Sequence, residues 1–81
     1  MILVTDDFTS LTNGMRKTFP LSKAPISRTD IVAQNGVIQD SGYDRDYVVI
    51  QVENQGFVLW WTGDAPIRGD RLTIKYQTDI P

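Results

Sequence analysis

Hydrophobic and polar positions alternate along this chain in short runs, with Gly, Asn, Asp and Pro in the gaps between them. Alternation with a period of two is what a strand requires, because successive side chains leave opposite faces of a sheet. No stretch sustains the helical period. The clearest run is Arg71–Gln77, where Leu72, Ile74 and Tyr76 face one way and Thr73, Lys75 and Gln77 the other. Thr29–Gln34 and Val37–Gln39 flank Asn35-Gly36, a dipeptide that readily takes the positive φ of a two-residue hairpin turn. Tyr47–Glu53, with Val48, Ile50 and Val52 on one face, and Phe57–Thr62 flank a turn at Asn54-Gln55-Gly56.

Nearer the N-terminus, Phe8–Thr12 and Lys17–Leu21 read as a hairpin about Asn13-Gly14. Pro20 cannot donate to a ladder, so its strand is expected at a sheet edge. Ser22–Arg28, Asp40–Asp46 and Gly63–Gly69 read as loops. The expected fold is all-β, a small antiparallel β-sandwich of about seven short strands, immunoglobulin-like or Greek-key. Residues 1–7 form an N-terminal arm or edge strand, 8–77 the sandwich domain and 78–81 a C-terminal tail. Phe19, Ile31, Ile50, Leu59, Leu72 and Ile74 are the expected core.

Composition narrows the function classes. The chain has 81 residues, one domain at most, so it leaves a large fraction of its surface in water and gains from association with neighbours. It has no Cys and no His, which removes the thiolate nucleophile, the usual general base and the commonest metal ligand. Its 8 basic and 10 acidic side chains are interspersed, with no basic stripe for phosphates, so no nucleic-acid partner is expected. No apolar stretch approaches the ~20 residues that span a bilayer, and the short Met1–Val4 run does not read as a secretory signal, so no membrane partner is expected either.

The carboxylates Asp6, Asp7, Asp40, Asp44, Asp46, Asp64 and Asp70 fall in loops or near the ends. A glycosidase would need two of them opposed across a sugar, and Asp44-x-Asp46 is only a fragment of a calcium loop. Turn formation is the simpler role for them. Ser10, Ser22, Ser27 and Ser41 have no His to activate them, and nothing in the local pattern pairs a Ser with Lys23. The chain is therefore expected to be no enzyme and to bind no metal or cofactor.

The pair Trp60-Trp61 is the most informative local feature. Neighbours on a strand face opposite ways, so Phe57, Leu59 and Trp61 share one face and Val58 and Trp60 the other. One tryptophan enters the core. The other, Trp60, is expected with Val58 at a subunit contact, where Trp is enriched; the alternatives are cover by a loop of the same chain and stacking on a sugar. Met1, Ile2, Leu3 and Val4 are the second candidate contact, as an arm that adds a strand to a neighbour.

From Asn13 onward the chain resembles a small β-sandwich module of tailed-phage virion proteins, of the tail-fibre and capsid-decoration type. The resemblance lies in Asn13-Gly14, Lys17-Thr18-Phe19-Pro20-Leu21 and Ala24-Pro25-Ile26. It continues in Ile31–Ile38 around Asn35-Gly36-Val37, and in Gly42 with Asp46-Tyr47-Val48. It closes with Trp61 through Ala65-Pro66 and then Gly69-Asp70-Arg71-Leu72-Thr73-Ile74-Lys75-Tyr76. The chain departs from the pattern where Asp44 and Arg45 lengthen the loop between Gly42 and Tyr47.

The resemblance implies a non-enzymatic phage virion structural protein, folded in the host cytoplasm and located in the virion. It would pack against other virion subunits as a capsid decoration (cement) protein or as a neck, tail or fibre-attachment component. Its partners would be capsid, neck or tail subunits, with the chain a homo-oligomer or particle-bound. The alternative is a receptor- or carbohydrate-binding module of a tail fibre, with loops Asp40–Asp46 and Gly63–Asp70 on a glycan. A third is a host-protein interaction domain.

Overall fold

A computed structural model describes residues 2–42, 44–54 and 56–79. The described residues form seven strands and one short 3-10 turn. In chain order the strands are β1 (Ile2–Asp7), β2 (Thr18–Pro20), β3 (Ile31–Gln34), β4 (Val37–Ile38), β5 (Tyr47–Val52), β6 (Gly56–Trp61) and β7 (Leu72–Thr78). A four-stranded sheet in the order β1-β7-β3-β4 faces a three-stranded sheet in the order β2-β6-β5. Every strand pair is antiparallel. The protein is thus an all-β antiparallel sandwich of seven short strands, as the alternation predicts.

One core lies between the sheets. Val32, Leu72, Ile74 and Tyr76 come from the larger sheet, and Phe19, Tyr47, Leu59 and Trp61 from the smaller. Phe8 joins them from the segment before β2, its ring stacked on Phe19 with centroids 5.3 Å apart. Val4, Leu11, Leu21 and Val49 pack at the margin.

The hairpin turn at Asn35-Gly36 forms as expected. Asn35 has φ +53° and Gly36 φ +85°, and Gln34 pairs with Val37 across them. A Cβ at Gly36 would meet nothing within 4 Å, so the obstacle to substitution is backbone conformation and not space. Gly36→Val is expected to destabilise by about 1–3 kcal/mol, the cost of holding a β-branched residue at positive φ. Gly36→Asn should cost much less, because Asn tolerates the left-handed region. Equal melting temperatures for the two variants would contradict this account of the turn.

Some expectations fail, the first two through local hydrogen bonds and the others through strand register. Phe8–Thr12 is no strand. The Asp7 carboxylate accepts the Thr9 N–H at 2.9 Å and the Thr9 hydroxyl at 2.6 Å, which curls Thr9–Leu11 into a 3-10 turn and drops Phe8 into the core. Asn13-Gly14 consequently joins no hairpin. It still turns, with Asn13 Oδ1 accepting the N–H groups of Met15 and Arg16, and β2 pairs with β6 instead. Ile31 is 51% exposed, because Val32 stands opposite Ile74 over the core and Ile31 opposite Lys75 on the outer face.

Ile50 is also outside the core, only half-buried on the far side of its sheet. Cross-strand partners share a face, and Ile50 pairs with Val58 and Val48 with Trp60. Turning Trp60 outward therefore turns Ile50 outward, and Tyr47 and Val49 serve the core from β5.

Ile2–Asp7 forms an edge strand of the chain's own four-stranded sheet, paired along its length with β7. Thr78 belongs to β7 and is buried, its hydroxyl donating to the Ala24 carbonyl at 2.7 Å. Of the expected tail, Ile80 and Pro81 lie outside the described residues.

Candidate assembly surface

The outer face of the three-stranded sheet carries an unusual run of apolar side chains. The register sets Pro20, Val58 and Ile50 in one cross-strand row and Thr18, Trp60 and Val48 in the next, with Val52 beyond. Seven positions supply one hydroxyl and no charge. A sheet face that met only water would carry polar residues at such sites. Trp60 is 38% exposed, whereas Trp61 on the core side is 4% exposed. Val48 and Val58 do not belong to the central core cluster, yet they are 7% and 3% exposed.

The sequence places Trp60 and Val58 on this face. It misses Val48, Ile50, Val52 and Pro20, which complete it. The register decides this: Val48 stands opposite Trp60 and Ile50 opposite Val58, whereas a slip of one residue would have brought the odd-numbered residues of β5 to the same side.

The second candidate contact lies elsewhere. Ile2, Leu3 and Val4 lie on β1 in the other sheet, with Val4 turned toward the core and Leu3 68% exposed on the outer side. Met1 lies outside the described residues. The strand is held down by Asp6, whose carboxylate accepts the Ser22 N–H at 2.9 Å, the Ser22 hydroxyl at 2.7 Å and the buried Tyr76 hydroxyl at 2.7 Å. Burial first, and the Asp6 carboxylate beside it, raise the Tyr76 phenol above its ordinary pKa.

The loop carboxylates organise backbone. Asp70 accepts from Gln34 Nε2, Asn35 Nδ2 and the Ile67 N–H, which ties the β3–β4 hairpin to the loop before β7. Asp46 accepts the Asp40 N–H at 2.9 Å. Arg45 lies 3.9 Å from Asp40 in an exposed ion pair of little energetic weight. Among the described residues no three His, Cys, Asp or Glu side chains are grouped as a metal site. No described helix is long and apolar enough to cross a membrane.

These bonds give a pH dependence. The Asn35 and Gln34 side chains hold the Asp70 carboxyl below its ordinary pKa, and the Thr9 hydroxyl and N–H do the same for Asp7. A carboxyl depressed in the folded state adds stability above its unfolded pKa and loses it as pH falls through the folded value. Melting temperature should therefore fall as pH drops below about 4, near the unperturbed Asp value. The fall should be shallower in the Asp7→Asn, Asp70→Asn double variant. Superimposable pH profiles would show that these carboxylates carry no folding linkage.

A cleft of 390 Å³ opens at the edge beside β5, lined by Ser27, Arg28, Asp30, Ser41 and Val49. Its acid is engaged, since the Tyr47 hydroxyl donates to Asp30 Oδ2 at 2.6 Å. Burial and that neighbouring carboxylate push the Tyr47 phenol far above its ordinary pKa, so it stays protonated and acts as a fixed donor.

The chain matches no protein-family model, no curated protein and no solved structure in the comparisons made.

Proposed function

We propose that the protein is a non-enzymatic structural component that packs against neighbouring subunits through the outer face of its three-stranded sheet. The observation that carries this reading is the uncharged outer face, on which Trp60 is 38% exposed, Pro20 is exposed and Ile50 and Val52 are half-buried, over the buried Val48 and Val58. Trp60 keeps 38% of its surface exposed, so a neighbour that covers it removes roughly 60–100 Å² of the roughly 150–250 Å² that a buried aromatic side chain loses. At about 25 cal/mol per Å², that is about 1.5–2.5 kcal/mol before the costs of association. The particle in question, by the sequence resemblance alone, is a tailed-phage virion, with the protein as capsid decoration or as a neck, tail or fibre-attachment component. The absence of His and Cys and the engagement of Asp30 by Tyr47 are consistent with a role without catalysis.

Cryo-EM of the assembled particle tests the reading. Density should show the Trp60 face covered by another subunit. A Trp60 face open to solvent, with a glycan or receptor held at the loops, would favour the binding-module reading instead.

A further inference from the structure

A sandwich of two open sheets has four edges, and three of them carry features that discourage pairing. β4 has two residues, β2 has three and ends in Pro20, and β1 ends in Asp6-Asp7. The fourth edge, β5, is the six-residue run Tyr47-Val48-Val49-Ile50-Gln51-Val52, with no charge and no proline.

Hydrogen bonding shows which backbone groups this edge presents. The Tyr47 carbonyl accepts from the Gly42 N–H at 2.7 Å and its N–H donates to Asp40, so odd positions of β5 point away from β6. On the far side of β6, the Trp61 N–H donates to Lys17 and the Phe57 carbonyl accepts from Leu21, which fixes the same alternation. Segment 40–42 thus covers the edge at Tyr47 and stops there. The outward N–H and C=O groups of Val49 and Gln51 have no backbone partner among the described residues.

We infer that two copies of the chain pair through β5, antiparallel about a two-fold axis at Ile50, to make one continuous six-stranded sheet. In this register Val49 stands opposite Gln51 of the second copy, and each such pair exchanges two main-chain hydrogen bonds. Ile50 meets Ile50 of the second copy, and Val48 meets Val52 of the second copy. Every outer-face contact is then apolar on apolar, as a self-complementary interface requires. The pairing ends at Val48 because segment 40–42 already occupies the edge beside Tyr47. The inference concerns the edge, so it stands whether or not the Trp60 face binds other subunits.

Sedimentation of the purified chain over a range of concentrations, with amide exchange followed residue by residue, tests it. The wild type should dimerise, and the Val49 and Gln51 amides should exchange more slowly as concentration rises. Gln51→Pro removes an N–H that the chain's own sheet does not use. It should raise the dimer dissociation constant at least about tenfold, the effect of losing some 1.4 kcal/mol. Ile50→Lys, which sets two like charges face to face, should do the same and decides the matter if the proline variant does not fold. Trp60→Ser should leave the dimer intact. A chain that stays monomeric at every concentration overturns the inference, as does a dimer that survives Ile50→Lys or leaves the Val49 and Gln51 amides unprotected.

Discussion

Leu72→Ala is expected to lower stability by about 2–5 kcal/mol, the range for emptying a large aliphatic site in a packed core. Leu72 is fully buried and belongs to the central cluster. It opens β7, the strand that lies between β1 and β3, so a loosened Leu72 disturbs both neighbours. Its backbone also anchors the preceding segment, since the Leu72 carbonyl accepts the Phe8 N–H at 2.7 Å. A domain of this size has a total margin of only about 5–15 kcal/mol, so the variant should be largely unfolded at 37 °C or close to it. Chemical denaturation followed by tryptophan fluorescence measures this directly. A midpoint within error of the wild type would mean that β7 does not pack as described.

The two tryptophans should separate stability from assembly. Trp61→Ser removes a ring that is 4% exposed from the middle of the core and should cost about 3–5 kcal/mol, as other large aromatic truncations do. It should also lose tertiary structure before any assembly defect can be read. Trp60→Ser alters a side chain that is 38% exposed on the outer face and should lower the melting temperature clearly less than Trp61→Ser does. Thermal melts of the two variants side by side test the orientation of β6. Equal losses would mean that both rings serve the fold.

Much of this architecture is legible in the sequence, and the exceptions have causes. Asn35-Gly36 and the alternation of Leu72, Ile74 and Tyr76 are local signals, and both are realised. Phe8–Thr12 misleads because a single carboxylate, Asp7, takes two donors from Thr9 and outweighs a strand-like composition. Ile31 and Ile50 mislead because hydrophobicity alone does not say which face of a sheet a residue joins. Their cross-strand partners Lys75 and Val58 decide that, and pairing is non-local. The candidate surface was half legible for the same reason. Trp60 and Val58 announce themselves as neighbours of Trp61, whereas Val48, Ile50, Val52 and Pro20 join them only once the register is known. The open edge at Val49 and Gln51 could not be read at all, because it depends on where segment 40–42 lies.

The central claim is that this protein acts by covering its Trp60 face with a neighbouring subunit. Incorporation of Trp60→Ser into assembled particles, measured in competition with the wild type, tests it most directly. The account predicts a folded variant that is strongly under-represented in the particle. A folded Trp60→Ser chain that incorporates as well as the wild type would contradict it.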